Sequence, residues 1–277
     1  YEFILLINPT TDYTPFFKKI KNNNYKTLII NSKIYSLFEQ IEIRLKIKEK
    51  YLFYWSPHYN IPILLKGKIV VTIHDIYHMI ETSSLKIPRK IYSFFMLRII
   101  KYKNSDIIAV SEFTKNEILK YTNIDKDKIS VIHNGLEIKW KSLYKYYNNN
   151  DILYVGNMKK HKNINLLINA FNRIKQRKNM KLYLVGNINN NLDRETSKLI
   201  HRNKDIILID SISKEKLLKY YNKARLFVLP SNYEGFGFTP LEAMACGCPV
   251  IATKTASIPE ICCDAALYFE KNNLNDL

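Results

Sequence analysis

Apolar and polar positions alternate along the chain between short apolar runs and amphipathic stretches with helical spacing. This alternation predicts parallel β-strands covered by helices, which is an α/β architecture. In the first half we predict strands at Phe3 to Ile7, Thr27 to Ile30, Tyr51 to Tyr54, Ile69 to Ile73, Ile107 to Val110 and Ile129 to Ile132. One helical apolar stripe in this half is formed by Ile91, Phe94, Phe95, Ile99 and Tyr102.

The alternation restarts after a polar stretch, Lys139 to Asn150, whose composition is that of a linker. In the second half we predict strands at Ile152 to Val155, Leu182 to Val185, Ile206 to Ile209, Leu226 to Leu229, Val250 to Ala252 and Ala266 to Phe269. Two helical stripes are formed by Ile164, Leu167, Ile168, Phe171 and Ile174, and by Leu217, Leu218, Tyr221 and Ala224. The simplest assembly is two Rossmann-like domains, residues 1–140 and 151–277, joined by a linker at 141–150. Ligands of such sheets bind beyond the carboxyl ends of the strands, so we expect the site in a cleft between the domains.

The stretch that follows the strand at Leu226 to Leu229 carries the most chemical information. A loop with Glu234, Gly235 and Gly237 leads into a helical pattern that contains Glu242. Backbone N–H groups at a helix N-terminus hold anions, and carboxylates bind sugar hydroxyls. The combination points to a site for a nucleotide sugar.

Each part of this stretch also has a structural interpretation. Thr239 and Glu242 have the spacing of a capping box, with Pro240 at the first helical position. Glu234 alone is an ordinary loop carboxylate.

The residues taken together are far more specific. Glu234-Gly-Phe-Gly-Phe-Thr-Pro-Leu-Glu242 resembles the E-x7-E signature of retaining glycosyltransferases with the GT-B fold. The continuation to Thr253 and the run Ser257-Ile-Pro-Glu260 are similar to glycosyltransferase family 4. The resemblance extends over residues 1–277 and is denser after Asp151. It implies a GT-B fold and transfer of a sugar, with retention at the anomeric carbon, from a nucleoside diphosphate sugar to a hydroxyl of a glycan or lipid-linked glycan.

A second candidate segment, Gly156 to Asn163, follows a strand and opens a helix with several lysines. The residues alone fit either a phosphate site or a solvated basic helix start. The resemblance implies that Lys162 contacts the donor diphosphate. Many family members carry Arg directly after the glycine, where this chain has Asn157, and Lys159 or Lys160 are candidate substitutes.

The resemblance also implies roles for the remaining site residues. We expect Glu242 to hold the ribose, Glu234 to contact the donor sugar, and Gly186 and Ile212 to line the base pocket. The expected catalytic residues are His74 and Glu234, with His74 meeting the sugar from the first domain and Asp75 orienting its loop. The full donor-binding set is Gly156, Asn157, Lys162, Gly186, Ile212, Glu234, Gly235, Phe236, Gly237, Phe238 and Glu242. The pair His74-Asp75 with the Gly156 to Asn163 segment is most similar to mannosyltransferases, which favours GDP-mannose as the donor.

Composition limits the other functions. The formal net charge of +18 favours contact with phosphates, although a composition rich in lysine, asparagine, isoleucine and tyrosine is the favoured explanation of the charge. We expect peripheral contact with an anionic membrane but no specific nucleic acid, because the sequence has no zinc finger, basic zipper or RNA-binding aromatic motif.

Metal chemistry is not expected. Asp125-Lys-Asp127 mimics a D-x-D metal motif but lies in a polar connection that predicts a loop. Cys246, Cys248, Cys262 and Cys263 lack the spacing of zinc ligands, and we expect Cys246 and Cys248 to be small buried residues. The cysteine pattern and the lack of any apolar run of roughly 18 residues suit a cytoplasmic protein.

The ends of the sequence add one expectation. The family's first strand, its glycine-rich loop and its last helices have no counterpart here, so we expect a chain trimmed at both ends. The alternative to an active transferase is therefore a truncated, non-catalytic nucleotide-binding relic of such an enzyme.

Overall fold

A computed structural model describes residues 2–10, 13, 24–48, 50–80, 87–143, 150–175, 179–187 and 192–277. The chain forms two compact units, of which the first contains Tyr1–Ile73, Glu81–Ile108 and Thr122–Ile129. The second contains His74–Ile80, Ala109–Tyr121 and Ser130–Leu277. The division into domains at 141–150 stays a prediction, and residues 144–149 of that linker lie outside the described residues.

The strands are short and follow the predicted order. They are β1 (Phe3–Ile7), β2 (Tyr25–Ile29), β3 (Tyr54–Ser56), β4 (Ile69–Ile73), β5 (Asp106–Ala109), β6 (Ile129–Val131), β7 (Ile152–Val155), β8 (Leu182–Val185), β9 (Ile206–Ile209), β10 (Leu226–Leu229), β11 (Val250–Thr253) and β12 (Leu267–Phe269). The helices among the described residues are α1 (Leu37–Lys46), α2 (Tyr77–Ile80), α3 (Ile87–Tyr102), α4 (Glu112–Tyr121), α5 (Ile164–Arg173), α6 (Arg194–His201), α7 (Lys214–Lys223), α8 (Phe238–Ala245) and α9 (Ile258–Cys262). Two 3-10 turns occupy Lys126–Lys128 and Lys160–Lys162.

Strands β1 to β6 form two sheets. Strands β1 and β2 pair in parallel, and a separate four-stranded sheet has the order β3-β4-β5-β6. The β3 strand begins three residues later than predicted, because its first ladder contact is the Tyr54 N–H donating to the Lys68 carbonyl at 2.9 Å. Residues Leu52 and Phe53, which were predicted to lie in this strand, are exposed.

Helix α3 buries a different face from the one that its apolar stripe predicts. Met96 and Ile100 are fully buried, together with Ser93 and Leu97. The stripe residues Ile91, Phe94, Phe95 and Tyr102 are exposed. Periodicity identified the helix but not the face that packs, because both faces of this segment are apolar.

Strands β7 to β12 form a six-stranded parallel sheet in the order β12-β11-β10-β7-β8-β9. The chain runs outward from β7 through β8 and β9, and then returns to place β10 on the other side of β7. The strand order therefore reverses between β7 and β10. In sheets of this kind the crevice beyond that reversal point is where ligands bind.

The core of this sheet explains why its elements were predicted well. Helix α5 buries Ile164, Leu167, Ile168 and Phe171, as its apolar stripe predicts. Cys246 and Cys248 are buried among apolar neighbours, as predicted, with 3% and 4% of their surface exposed.

None of the helices among the described residues has the length and apolar character of a membrane span.

We expect Ile168→Ala to lower the free energy of unfolding by about 2–5 kcal/mol, because the fully buried side chain would leave a cavity in the core. The matched control is Ile138→Ala, since Ile138 is 96% exposed and should change stability by less than about 0.5 kcal/mol. Denaturant unfolding measures both. Equal losses at the two positions would contradict the assigned core.

Candidate functional site

A cavity lies at the point where the strand order reverses. It has a volume of about 260 Å³ and opens beyond the carboxyl ends of β7 and β10. Every residue that lines it belongs to the second compact unit. These residues are His74, Asp75, Asn134, Val155, Gly156, Asn157, Lys162, Glu234, Gly235, Phe236, Gly237, Phe238 and Thr239.

The loop between β10 and α8 presents its backbone at this cavity. The N–H groups of Gly235, Phe236 and Gly237 donate to no acceptor among the described residues. They lie directly before the N-terminus of α8, where the helix dipole favours negative charge. A run of N–H groups without acceptors at a cavity wall is suited to an anionic ligand.

The two glycines of the loop are required for different reasons. Gly237 occupies the N-cap of α8 with a φ of 112°, a backbone conformation that residues other than glycine rarely adopt. A β-carbon on Gly235 would collide with the carbonyl oxygen of His74. Gly235 therefore permits a close approach of two backbone segments.

The capping-box interpretation of this helix is wrong. Helix α8 begins at Phe238 and its N-cap is Gly237, so Thr239 already lies inside the first turn. The Glu242 carboxylate accepts a hydrogen bond of 2.9 Å from the hydroxyl of the fully buried Tyr221 instead of reaching back to the helix start. The glycine conformation at 237 shifts the helix start by two residues from the position that Thr239 predicts.

An ion pair of low exposure crosses the cavity wall. The Lys162 ammonium lies 2.7 Å from Oε1 of Glu234, and the two side chains are only 13% and 15% exposed. Lys162 ends the 3-10 turn Lys160–Lys162, which follows β7. The two loops at the strand reversal are thus joined by opposite charges, and both charges face the cavity.

Asn157 stands where many relatives carry Arg, and its side chain has a local structural role. Its Oδ1 accepts from the Lys159 N–H at 3.3 Å, and its carbonyl accepts from the Tyr154 hydroxyl at 2.8 Å. Lys159 and Lys160 are exposed and do not line the cavity. Lys162 is therefore the lysine that the 156–163 segment places at the cavity.

The His74-Asp75 pair also lies at the cavity, in the same compact unit as the glycine loop. The Asp75 carboxylate accepts from the Tyr77 N–H at 3.0 Å, which agrees with the expected loop-orienting role. His74 contributes to the cavity wall, and its carbonyl is the atom that Gly235 approaches.

Three of the predicted donor-binding residues do not line this cavity. Gly186 supports its floor, because a β-carbon there would collide with the carbonyl of Gly156. Ile212 packs against the core around β10 and β11, and Glu242 lies on the second turn of α8. The cavity therefore brings together the residues predicted to contact phosphate and sugar, while those predicted to contact ribose and base lie outside its lining.

The structure adds residues that sequence reasoning missed. Asn134 lines the cavity, and its side-chain nitrogen is buried without a hydrogen-bond partner among the described residues. The Glu260 carboxylate accepts from the N–H groups of Glu112 and Phe113 at 2.7 and 3.1 Å. Glu260 was noted only as the last residue of the Ser257-Ile-Pro-Glu260 run, and Asn134 was not among the predicted site residues.

Within the described ranges, no cluster of three or more His, Cys, Asp or Glu side chains could hold a metal ion. Asp127 lies in the 3-10 turn Lys126–Lys128 and Asp125 is its N-cap, so both lie in the connection before β6 and not in a strand or an α-helix.

We expect Glu242→Gln to raise the melting temperature at pH 7. Burial raises the pKa of Glu242, against the opposing effects of Tyr221 and Lys214. A carboxyl whose pKa is higher in the folded state than in the unfolded state stabilises the fold when the pH is below its unfolded-state pKa. This contribution is lost as the pH rises through its folded-state pKa. Gln mimics the protonated form of Glu242, so the difference in melting temperature between the variant and the wild type should vanish below about pH 4. Thermal melts across this range measure it.

Glu215→Gln is the control of opposite sign. Hydrogen bonds from its own backbone N–H and from Ser213 lower the pKa of Glu215, so ionisation stabilises the fold and the variant should melt lower at pH 7. A loss of stability in both variants would contradict the desolvation of Glu242.

Comparison with known proteins extends these observations. The family model "Glycosyl transferases group 1" matches residues 137–277, which is just over half of the chain. The model "Glycosyltransferase Family 4" matches residues 49–140. The O-antigen chain mannosyltransferase RfbU of Salmonella typhimurium is 31% identical over 236 residues. That alignment covers 85% of this chain and 65% of RfbU, so the chain spans less than two thirds of that relative.

Solved structures share the fold. Sucrose-phosphate synthase from Thermosynechococcus elongatus matches with a TM-score of 0.75 and 19% identity, over 99% of this chain and 76% of that one. HepE of Anabaena, solved with UDP and glucose, matches with a TM-score of 0.75 and 15% identity, over 98% of this chain and 79% of that one. The predicted GT-B class with Rossmann-like α/β sheets is confirmed. Residues 49–140 match glycosyltransferase family 4, and the chain belongs to the glycosyl transferases group 1.

Proposed function

We propose that this chain is the catalytic region of a retaining glycosyltransferase that uses a nucleoside diphosphate sugar. The acceptor is a hydroxyl of a glycan or a lipid-linked glycan. The observation that carries the proposal is the run of three N–H groups at Gly235, Phe236 and Gly237, which donate to no acceptor in the described parts of the chain and lie beside the Lys162 ammonium. Family membership and the mannosyltransferase relative support it.

The arrangement suits stabilisation of a leaving diphosphate. In the reaction the bond between the anomeric carbon and the diphosphate oxygen breaks, and the electron pair stays on that oxygen. Donors that are already oriented towards this oxygen lower the barrier most where water is excluded. Lys162 and the loop N–H groups supply such donors, so we propose that the reaction needs no metal ion.

The two carboxylates take separate roles in this proposal. Glu234, at the cavity wall, holds hydroxyls of the transferred sugar near His74. Glu242, one turn into α8 and hydrogen-bonded to Tyr221, holds the ribose hydroxyls. Gly186 and Ile212 border the nucleobase. The acceptor oxygen attacks from the face that the diphosphate leaves, which gives retention, and its proton passes to the departing oxygen.

The donor is the finer question. RfbU is an O-antigen chain mannosyltransferase, which supports mannose from GDP-mannose, whereas HepE was solved with UDP and glucose. Thermal melts with UDP, GDP, ADP and their sugar conjugates at fixed salt distinguish the bases. A ligand at about 100 times its Kd adds about 2.7 kcal/mol. We expect the largest shift from GDP and GDP-mannose, unchanged by EDTA. A cooperative melt that no nucleotide shifts would mean that the chain folds without a working donor site, whereas a shift without sugar transfer would favour the non-catalytic relic.

Lys162→Ala should weaken binding of the nucleoside diphosphate by at least about tenfold and leave nucleoside binding unchanged, because a charge-assisted contact contributes about 1.5–3 kcal/mol. Calorimetric titration with the diphosphate and with its nucleoside measures both values. The matched control is Lys159→Ala, a lysine of the same segment that is exposed and does not line the cavity.

Glu234→Gln separates the charge of the pair from its geometry. It removes the carboxylate that Lys162 contacts at 2.7 Å, so the ammonium is released towards phosphate. We expect equal or tighter binding of the diphosphate and a smaller preference for the sugar conjugate over it.

For Lys162→Ala, an equal loss of affinity for the nucleoside and for the nucleoside diphosphate would remove Lys162 from the phosphate role.

We also propose peripheral contact with an anionic membrane, in keeping with the formal net charge of +18. Co-sedimentation with phosphatidylglycerol vesicles, but not with phosphatidylcholine vesicles, should occur at low salt and fall as salt is added. Equal binding to both vesicles would contradict an electrostatic contact.

A further inference from the structure

Three consecutive carbonyl oxygens of the 234–236 loop lie within hydrogen-bond distance of buried hydroxyls, each of which has a single proton to donate. Ser257 Oγ lies 2.9 Å from the Glu234 carbonyl and 2.8 Å from the Phe236 carbonyl. The Gly235 carbonyl between them accepts from Ser111 Oγ at 2.8 Å and from Thr114 Oγ1 at 3.1 Å. We refer to Ser111, Thr114 and Ser257 as the hydroxyl clasp.

The clasp is fully buried. Ser111, Thr114 and Ser257 each have 0% of their surface exposed, so their hydroxyls are shielded from competing water. Most buried polar groups are hydrogen-bonded within the protein, and here the loop carbonyls and the clasp hydroxyls satisfy one another.

Within the described residues, the Ser257 hydroxyl has no hydrogen-bond partner besides the Glu234 and Phe236 carbonyls. A serine before a helix usually accepts a hydrogen bond from the first turn, yet Ser257 makes no side-chain cap of α9. Its hydroxyl contacts the loop instead. Ser111 differs, because its Oγ also accepts the Thr114 N–H at 3.0 Å at the start of α4.

Peptide planarity links the clasp to the opposite side of the loop. In a trans peptide the carbonyl and the following N–H point in opposite directions, and no described peptide bond of this chain is cis. Fixing the carbonyls of Glu234, Gly235 and Phe236 therefore fixes the N–H groups of Gly235, Phe236 and Gly237. These are the same N–H groups that have no acceptor among the described residues.

A further contact holds the two parts of the clasp together. The Glu260 carboxylate, three residues after Ser257, accepts the N–H groups of Glu112 and Phe113, which lie between Ser111 and Thr114. His133 Nε2 lies 2.8 Å from the same carboxylate. The segments that carry the hydroxyls are thus joined independently of the loop that they hold.

We propose that Ser111, Thr114 and Ser257 are positioning residues that orient the three peptide planes of the 234–237 loop, so that their N–H groups bind the diphosphate of the donor. This inference rests on the proposed function, which supplies the diphosphate. The clasp residues act through the loop backbone. Their loss should weaken diphosphate binding and catalysis without changing contacts to the nucleoside.

The central test is Ser257→Ala, measured by calorimetric titration with whichever of UDP, GDP or ADP shifts the wild-type melt most, and with its nucleoside. Loss of the one hydroxyl that the Glu234 and Phe236 carbonyls share lets their peptide planes rotate, so we expect the Kd for the diphosphate to rise about tenfold or more while the Kd for the nucleoside stays unchanged. With the sugar donor, kcat should fall more than KM rises.

The chain offers a matched control. Ser231 is also fully buried, three residues before Glu234, but its hydroxyl has no partner in the described part of the chain. Ser231→Ala should therefore leave both affinities unchanged. Thr114→Val and Thr114→Ser form a second pair, in which Val removes the hydroxyl and Ser restores it, so only Val should weaken diphosphate binding. If Ser257→Ala does not fold, this pair tests whether the clasp hydroxyls orient the loop for diphosphate binding.

The outcomes separate the two proposals. If the wild-type chain binds none of the diphosphates, the proposed function fails. If the wild type binds and Ser257→Ala or Thr114→Val changes nucleoside and diphosphate affinity equally, the clasp serves only the fold and this inference is overturned. Unchanged affinities in folded variants overturn it as well.

Discussion

Parallel pairing between β7 and β10 is the constraint on which the candidate site depends. Phe227 lies opposite Leu153 in this pair, although the two strands are separated in sequence by β8, β9 and three helices. Because the strands are parallel, their carboxyl ends meet at one edge, and the loops that follow them lie side by side. The Lys162–Glu234 ion pair and the cavity both follow from this adjacency. Neither loop could form the site alone.

Electrostatic and conformational costs are concentrated at this edge. Glu242 is partly desolvated, Asn134 has a buried nitrogen without a partner in the described structure, and Gly237 has a left-handed conformation. Such groups persist when the surrounding core is stable enough to hold them, and they are typical of sites that bind ligands. The buried apolar clusters on the two faces of the six-stranded sheet supply that stability.

Sequence patterns predicted the second half of the fold better than the details of the site. The bounds of β7, β8, β9 and β10 agree with prediction because each is a short apolar run buried in a parallel sheet. The predicted start of α8 was wrong because the backbone conformation of Gly237 sets where the helix begins. The spacing of apolar residues does not indicate that conformation. The hydroxyl clasp could not be predicted at all. Two of its contacts join residues 121 and 124 positions apart in sequence, the other two join residues 23 and 21 positions apart, and serine and threonine carry no pattern that indicates such partners.

The contact between Gly156 and Gly186 has a consequence for how specificity can diversify. The two backbones approach so closely that a single methyl group on Gly186 would collide with the neighbouring strand end, and a β-carbon on Gly156 would lie 2.7 Å from the Tyr154 hydroxyl. This part of the floor is therefore bare main chain, whose chemistry is the same for any sequence that keeps the fold. Selection for a different sugar or base has no side chain to vary there. It must act on the rim, at positions such as His74, Asn134 and Phe238, where side chains line the cavity.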